Sequence, residues 1–254
     1  MKKQILMEKM LNHTPVLGPF CKLTEPAIYE LAGLANFDFV IIDMEHGPIS
    51  YETAQNIVRT CELAGISPII RVPKNEEQYI LRALDIGAHG VEVPEINNKE
   101  QAEKLAAAAR YYPEGMRGLC RFVRAAEYSR MVKKDYYQFA NKNTFVIAHL
   151  EGTEGMNNLD EILEVKGIDV IFIGPYDLSQ SLGIPGETKN AQLIEKMKLI
   201  VNKALAKNKI VGTFVETVED AKYWSSLGVA YVSYSVDVGL IFAKFKEITN
   251  ALKK

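Results

Sequence analysis

Two apolar runs that each close on a carboxylate carry the chemistry of this chain. Phe145-Val-Ile-Ala-His-Leu-Glu151 ends in Glu151, and Ile171-Phe-Ile-Gly-Pro-Tyr-Asp177 ends in Asp177. A carboxylate just past a buried strand is costly to keep charged without a partner, so a cation is expected beside it. Two acids, with water and substrate oxygens in the remaining positions, describe a hard divalent metal: Mg2+ or Mn2+, with Co2+ also open.

Other predicted strand ends add to the list. Ile41-Ile-Asp-Met-Glu-His-Gly-Pro48 supplies Asp43, Glu45 and His46, and Ile69-Ile-Arg-Val-Pro73 supplies Arg71. Alternation puts Ile147, His149 and Glu151 on one strand face. At Gly174-Pro175 the chain leaves a strand and starts a helix. Pro suits the first helical position, and the N–H groups of Tyr176 and Asp177 are then free for an anion. A metal, a helix start and Arg71 together make a trap for a 2-oxo acid, with enolate charge falling on the ion and the guanidinium. His46 is the candidate base, its basicity raised by Asp43 or another acid. Plainer readings stand beside these. Asp43 is equally an N-cap or a turn residue, His46 an exposed turn residue, and Glu151 with Asp177 a structural ion cluster around Arg71. An imine mechanism needs a lysine at a strand end inside a barrel. The ends of the fourth to eighth strands carry none, and Lys22 and Lys74 lie near ends elsewhere.

These residues need elements to hold them. Strands are predicted at Val16–Phe20, Phe37–Asp43, Pro68–Val72, Gly90–Pro94, Thr144–Glu151, Val170–Gly174, Ile210–Phe214 and Tyr231–Ser235, mostly as continuous Val/Ile/Phe runs of the kind covered on both faces. Asn75, Asn98 and Thr217 are expected helix caps, and Gly65, Gly87 and Gly228 expected helix ends. Eight βα units in 254 residues point to a (β/α)8 barrel, one domain over residues 1–254, with a doubly wound open sheet as runner-up. The opening residues Met1-Lys-Lys-Gln-Ile-Leu-Met7 read as an amphipathic helix. The connection Tyr111–Asn143 is long enough to be functional or interfacial. Its Arg117, Arg121, Arg124 and Arg130 are expected in structural or intersubunit salt links, and His13 and His89 in turns or on the surface. Ile241–Leu252 reads most simply as a last barrel helix burying its apolar stripe.

Composition excludes several classes. With 48% hydrophobic residues the chain can bury a large core, and a net charge of −2 leaves no basic footprint for nucleic acid. No apolar run is long enough to span a membrane, and none opens the chain as a signal peptide. Cys21, Cys61 and Cys120 have no metal-ligand spacing, which suggests a reduced, cytoplasmic setting; Cys21 lies near a strand end.

At these positions the chain resembles the HpcH/HpaI-type class II aldolases, metal-dependent pyruvate aldolases of the phosphoenolpyruvate/pyruvate barrel superfamily. The likeness runs from about Gly18 to Leu240. It rests on Phe37-Asp-Phe-Val-Ile-Ile-Asp-Met-Glu-His-Gly-Pro48, Arg71-Val-Pro73, Leu84-Asp-Ile-Gly-Ala88, Val93-Pro94, Tyr112-Pro-Glu-Gly-Met-Arg-Gly118, Asn158-Leu-Asp-Glu-Ile162 and Phe172-Ile-Gly-Pro-Tyr-Asp-Leu-Ser179. The resemblance implies reversible cleavage of a 4-hydroxy-2-oxo acid to pyruvate and an aldehyde through a metal-bound pyruvate enolate. It implies Glu151 and Asp177 as metal ligands, His46 as base, Arg71 as enolate stabiliser and the backbone at Tyr176 and Asp177 as the carboxylate seat. It also implies that Asp85, from a neighbouring subunit, raises the basicity of the catalytic His. The expected assembly is a hexamer, a trimer of dimers with exchanged C-terminal helices. Alternatives within the superfamily are oxaloacetate decarboxylation and acyl-CoA cleavage; outside it, a non-catalytic 2-oxo-acid binder. The chain departs from the pattern at His149, where the family commonly has Gln, and at Ser233-Tyr-Ser-Val-Asp237, where a small Gly-containing run is usual. His149 is therefore expected to donate to substrate or to join the metal shell.

Overall fold

The computed structural model describes residues 3–12 and 14–253; His13 and the first two residues of the predicted opening helix lie outside them. Eight parallel strands, β1 Val16–Cys21, β2 Phe39–Asp43, β3 Ser67–Arg71, β4 Gly90–Val93, β5 Phe145–Leu150, β6 Val170–Ile173, β7 Ile210–Val215 and β8 Tyr231–Val236, close into a barrel in sequence order. The helices are α1 Lys3–Leu11, α2 Pro26–Leu34, α3 Tyr51–Leu63, α4 Glu77–Asp85, α5 Lys99–Ala109, α6 Lys133–Asn143, α7 Thr153–Asn157, α8 Leu159–Leu163, α9 Pro175–Ser181, α10 Ala191–Ala206, α11 Val218–Ser226 and α12 Asp237–Leu252. Each predicted strand is present, and the open-sheet alternative falls because β1 pairs with β8.

Strand alternation divides the apolar residues into two cores. Outward side chains such as Val40, Ile42, Ile70, Val91, Val146, Ala148, Ile171 and Val211 pack against the helices. Inward ones, among them Phe39, Ile41, Ile69, Phe145, Ile147, Val170, Phe172 and Tyr231, fill the barrel. Leu6 and Met10, one turn apart on α1, join the inner cluster and are buried, so α1 plugs the barrel end at which the strands begin. Close packing inside requires glycine at Gly212, where a Cβ would lie 2.7 Å from the Tyr231 ring and 2.9 Å from the Phe172 ring.

The helix starts correct one expectation. Asn98 and Thr217 cap α5 and α11 through Gln101 N–H and Asp220 N–H. Asn75 does not cap α4; that helix begins after Glu76, and the Asn75 amide donates instead to the Gln101 carbonyl. Gly65, Gly87 and Gly228 all take positive φ at helix ends, as expected. Within the long connection, Arg117 pairs with Asp85, Arg124 with Glu62 and Arg130 with Glu127, while the Arg121 guanidinium lies over the Phe122 ring. His89 stands between α4 and β4, near Ser67 and Glu62.

The C-terminal helix overturns the simplest reading of its sequence. Asp237 accepts N–H bonds from Lys22 and Leu23, which ties the start of α12 to the loop after β1. Beyond that turn the helix leaves the barrel, with Phe242 65%, Phe245 64% and Leu252 80% exposed. Among the described residues nothing covers the apolar stripe.

Candidate active site

The polar residues gather at the carboxyl rim of the barrel, and register explains much of it. Asp43 on β2 lies opposite Arg71 on β3, and Arg71 opposite Glu92 on β4. Asp43 is fully buried and grips the guanidinium with both oxygens, Oδ1 accepting from Nε at 3.0 Å and Oδ2 from Nη2 at 2.8 Å. Such forked, charge-assisted pairs fix geometry as well as charge. Oδ1 also accepts the backbone N–H groups of Glu45 and His46, each at 3.1 Å, so Asp43 is a turn residue and an ion-pair partner together. Burial pushes the Asp43 carboxyl up, but the bonds and charge of Arg71 outweigh it and hold the group below its ordinary range. The third guanidinium nitrogen reaches Glu45 at 3.1 Å, and the plane rests over the Phe20 ring at 4.5 Å. Arg71 cannot swing without breaking several contacts.

His46 projects from this turn with its side chain 60% exposed. The acid beside its imidazole is Glu45, at 3.8 Å, whereas Asp43 touches only its backbone. Burial raises the Glu45 carboxyl above its usual value despite Arg71, and the nearby charge of Glu151 adds to the rise.

Glu151 follows the last residue of β5. Its Oε1 accepts the Glu95 backbone N–H at 2.8 Å, and its Oε2 faces His149 Nδ1 at 3.1 Å. Gly174 leaves room for it: a Cβ there would stand 2.8 Å from Oε2 and 3.0 Å from the Glu151 Cβ. Burial opposes its charge, but His149 and the Glu95 N–H prevail and lower it to about 2. Arg71 pairs with Asp43 and Glu45 and forms no ion pair with Glu151 or Asp177 among the described residues, so these two acids are not a structural ion cluster around it.

Pro175 opens α9 as expected, directly after Gly174. The first backbone bond there runs from Leu178 N–H to the Gly174 carbonyl, which leaves the N–H groups of Tyr176 and Asp177 ahead of the ladder. The Asp177 side chain is exposed and has no ion-pair or hydrogen-bond partner among the described residues. The Tyr176 hydroxyl donates to Glu216 at 2.7 Å, and its ring meets Phe214 edge-on.

His149 is buried within the barrel and stacks on Phe172 with ring centroids 4.5 Å apart. Its Nε2 contacts Glu92, and Glu92 also accepts from the Tyr231 hydroxyl at 3.2 Å. Burial works against a charged imidazole, yet Glu151 and Glu92 raise it to about 9. Both ring nitrogens face carboxylates, which leaves neither directed at substrate or at an ion. Sequence reasoning passed over Glu92. The available signal was a carboxylate inside the apolar strand Gly90-Val-Glu-Val93, which must have company when buried.

The remaining predicted residues lie apart. Asp85 ends α4, away from the rim, and pairs with Arg117 Nη2 at 2.7 Å. Cys21 is buried on the outer face of the barrel wall.

The donor chemistry suits a hard cation. Glu151 and Asp177 follow neighbouring strands, and Gly174 lets the first lie against the start of the helix that carries the second. No group of three or more His, Cys, Asp or Glu side chains arranged for a metal occurs among the described residues. An ion here would therefore complete its shell with water and substrate oxygen, as magnesium commonly does.

A closed parallel barrel with its charged cluster at the carboxyl rim defines the class, a (β/α)8 barrel enzyme. The chain belongs to the HpcH/HpaI aldolase/citrate lyase family, whose model matches residues 17–243, and is a carbon–carbon lyase. It is 32% identical to the 5-keto-4-deoxy-D-glucarate aldolase of Shigella boydii serotype 18, over 94% of this chain and 92% of that protein. Among solved structures it resembles the citrate synthase SbnG, at 33% identity and TM-score 0.89, covering 98% of this chain and 97% of that one. An HpcH/HpaI aldolase/citrate lyase family protein from Burkholderia cenocepacia J2315 superposes with TM-score 0.92 at 26% identity, covering 98% and 99%.

Proposed function

We propose that this chain reversibly cleaves a 4-hydroxy-2-oxo acid to pyruvate and an aldehyde, with Glu151 and Asp177 holding a divalent cation of the magnesium or manganese type. When bound, that ion supplies Lewis-acid charge beside the carboxylate and keto oxygens of the 2-oxo acid. The N–H groups of Tyr176 and Asp177 seat the substrate carboxylate. Arg71, clamped by Asp43 and Glu45, presents a preorganised positive charge where enolate charge develops. His46 takes the proton of the C4 hydroxyl. The C3–C4 bond then breaks, the aldehyde departs, and the pyruvate enolate is protonated at C3.

The observation that carries this reading is Arg71 locked by Asp43 and Glu45 at the carboxyl rim where Glu151 and Asp177 follow neighbouring strands. The test is Mn2+-dependent release of pyruvate from a panel of 4-hydroxy-2-oxo acids by the wild type, Glu151→Ala and Asp177→Ala. Both variants are expected to lose metal-dependent turnover, and full retention in both overturns the assignment. A second reading is decarboxylation of oxaloacetate or cleavage of an acyl-CoA through the same enolate. Assaying those compounds beside the aldehyde panel separates the two.

The proposal extends to assembly. The bare stripe of α12 suits exchange between copies in a homo-oligomer, a hexamer in this reading, and such packing would bring Asp85 toward a neighbour's His46. The three free thiols suit a reducing, cytoplasmic setting, and no helix among the described residues is long and apolar enough to cross a membrane.

A further inference from the structure

We infer that Glu92 and His149 form a buried relay that positions Glu151, so that Glu92, fully buried inside the barrel, governs how tightly the site holds its cation. The inference rests on the metal role proposed for Glu151.

Glu92 has no solvent exposure and stands on β4 inside the barrel. A carboxylate at such depth needs partners that satisfy its oxygens. Two are present: His149 Nε2 at Oε1 and the Tyr231 hydroxyl at Oε2, 3.2 Å away. The first of these contacts fixes the imidazole in rotation about its own axis, and stacking on Phe172 fixes its plane. Nδ1 is left pointing at Glu151 Oε2, 3.1 Å away. On the other side Glu151 Oε1 is held by the Glu95 N–H. The ligand carboxylate is thus gripped by the protein at both oxygens, and one grip traces back through His149 to Glu92. A carboxylate behind a histidine is a recurring outer support of metal sites, and its removal commonly weakens metal affinity by about 10–100-fold. Here the supported group is a carboxylate, with His149 the intermediary. Glu92 and His149 are positioning residues.

The test is calorimetric titration of the full-length protein with Mn2+ alone, using the wild type, Glu92→Gln, His149→Gln, the double variant and Glu151→Ala, each checked by circular dichroism. Each single relay variant is expected to weaken Mn2+ binding by about tenfold or more. The double variant should be no weaker than the poorer single, because both act through one chain of contacts. Unchanged affinity in both relay variants, with Glu151→Ala defective, overturns the relay and leaves the metal assignment standing. Equal binding by wild type and Glu151→Ala, or none by wild type, overturns both. Should Glu92→Gln fail to fold, a crystal structure of the wild type with Mn2+ decides. His149 bridging Glu92 and Glu151 sustains the inference, and an imidazole turned onto the ion overturns it.

Discussion

Arg71 illustrates how much of the site depends on the shape of one side chain. Its guanidinium contacts both oxygens of Asp43, one of Glu45 and the face of Phe20. A lysine is a point charge without the planar fork and cannot reproduce that set. Arg71→Lys is expected to lower kcat/KM by about 10²–10³-fold, the range for losing a preorganised donor, while circular dichroism stays unchanged. An arginine in an apolar strand announced its need for an acid, and Asp43 was already a candidate beside it. Glu92, inside its own apolar strand, signalled a need for company but not the identity of its partner, because His149 lies 57 residues further along the chain. The pairing of β4 with β5, which sets Glu92 opposite Ile147, brings them together, and nothing local in either strand names the other.

Among the elements, the strands were the most legible, since parallel strands covered on both faces must be continuous apolar runs. Asn75 misled because a cap-like residue also satisfies other geometry; its amide reaches the Gln101 carbonyl and ties the loop before α4 to α5. The junction between β6 and α9 makes a sharper demand. Gly174→Ala would drive a methyl group into the Glu151 carboxylate. It is expected to reduce Mn2+ affinity while leaving the barrel folded, as titration calorimetry and circular dichroism would report. The long connection is fastened to α3 by Arg124 and Glu62. Burial opposes the Glu62 charge, but His89 and Arg124 win and lower its carboxyl from 4.5 to about 2. A lowered folded value means the contribution is complete above 4.5 and lost as pH falls toward 2. The drop in Tm between pH 5 and pH 2.5 should therefore be smaller for Glu62→Gln than for the wild type.

For the molecule as a whole, two surfaces lie outside the barrel's own logic. The stripe of α12 was readable as amphipathic, but a stripe does not say which chain covers it. Phe242→Asp with Phe245→Asp is expected to shift the protein to smaller assemblies in size-exclusion chromatography with light scattering, with an unchanged helix signal. At the base, Leu6 is fully buried in the inner cluster. Leu6→Ala should cost about 2–5 kcal/mol of stability, measured by urea unfolding. The packed interior also bears on traffic. With Phe39, Phe145, Phe172 and Tyr231 filling the barrel, substrate reaches the site from the carboxyl rim, and whatever lies deeper must wait for whatever lies nearer the solvent. If pyruvate sits inward of the aldehyde, departure follows a last-in, first-out rule. Pyruvate should then inhibit cleavage competitively and the aldehyde noncompetitively, an order of leaving imposed by the side chains that close the barrel behind the site.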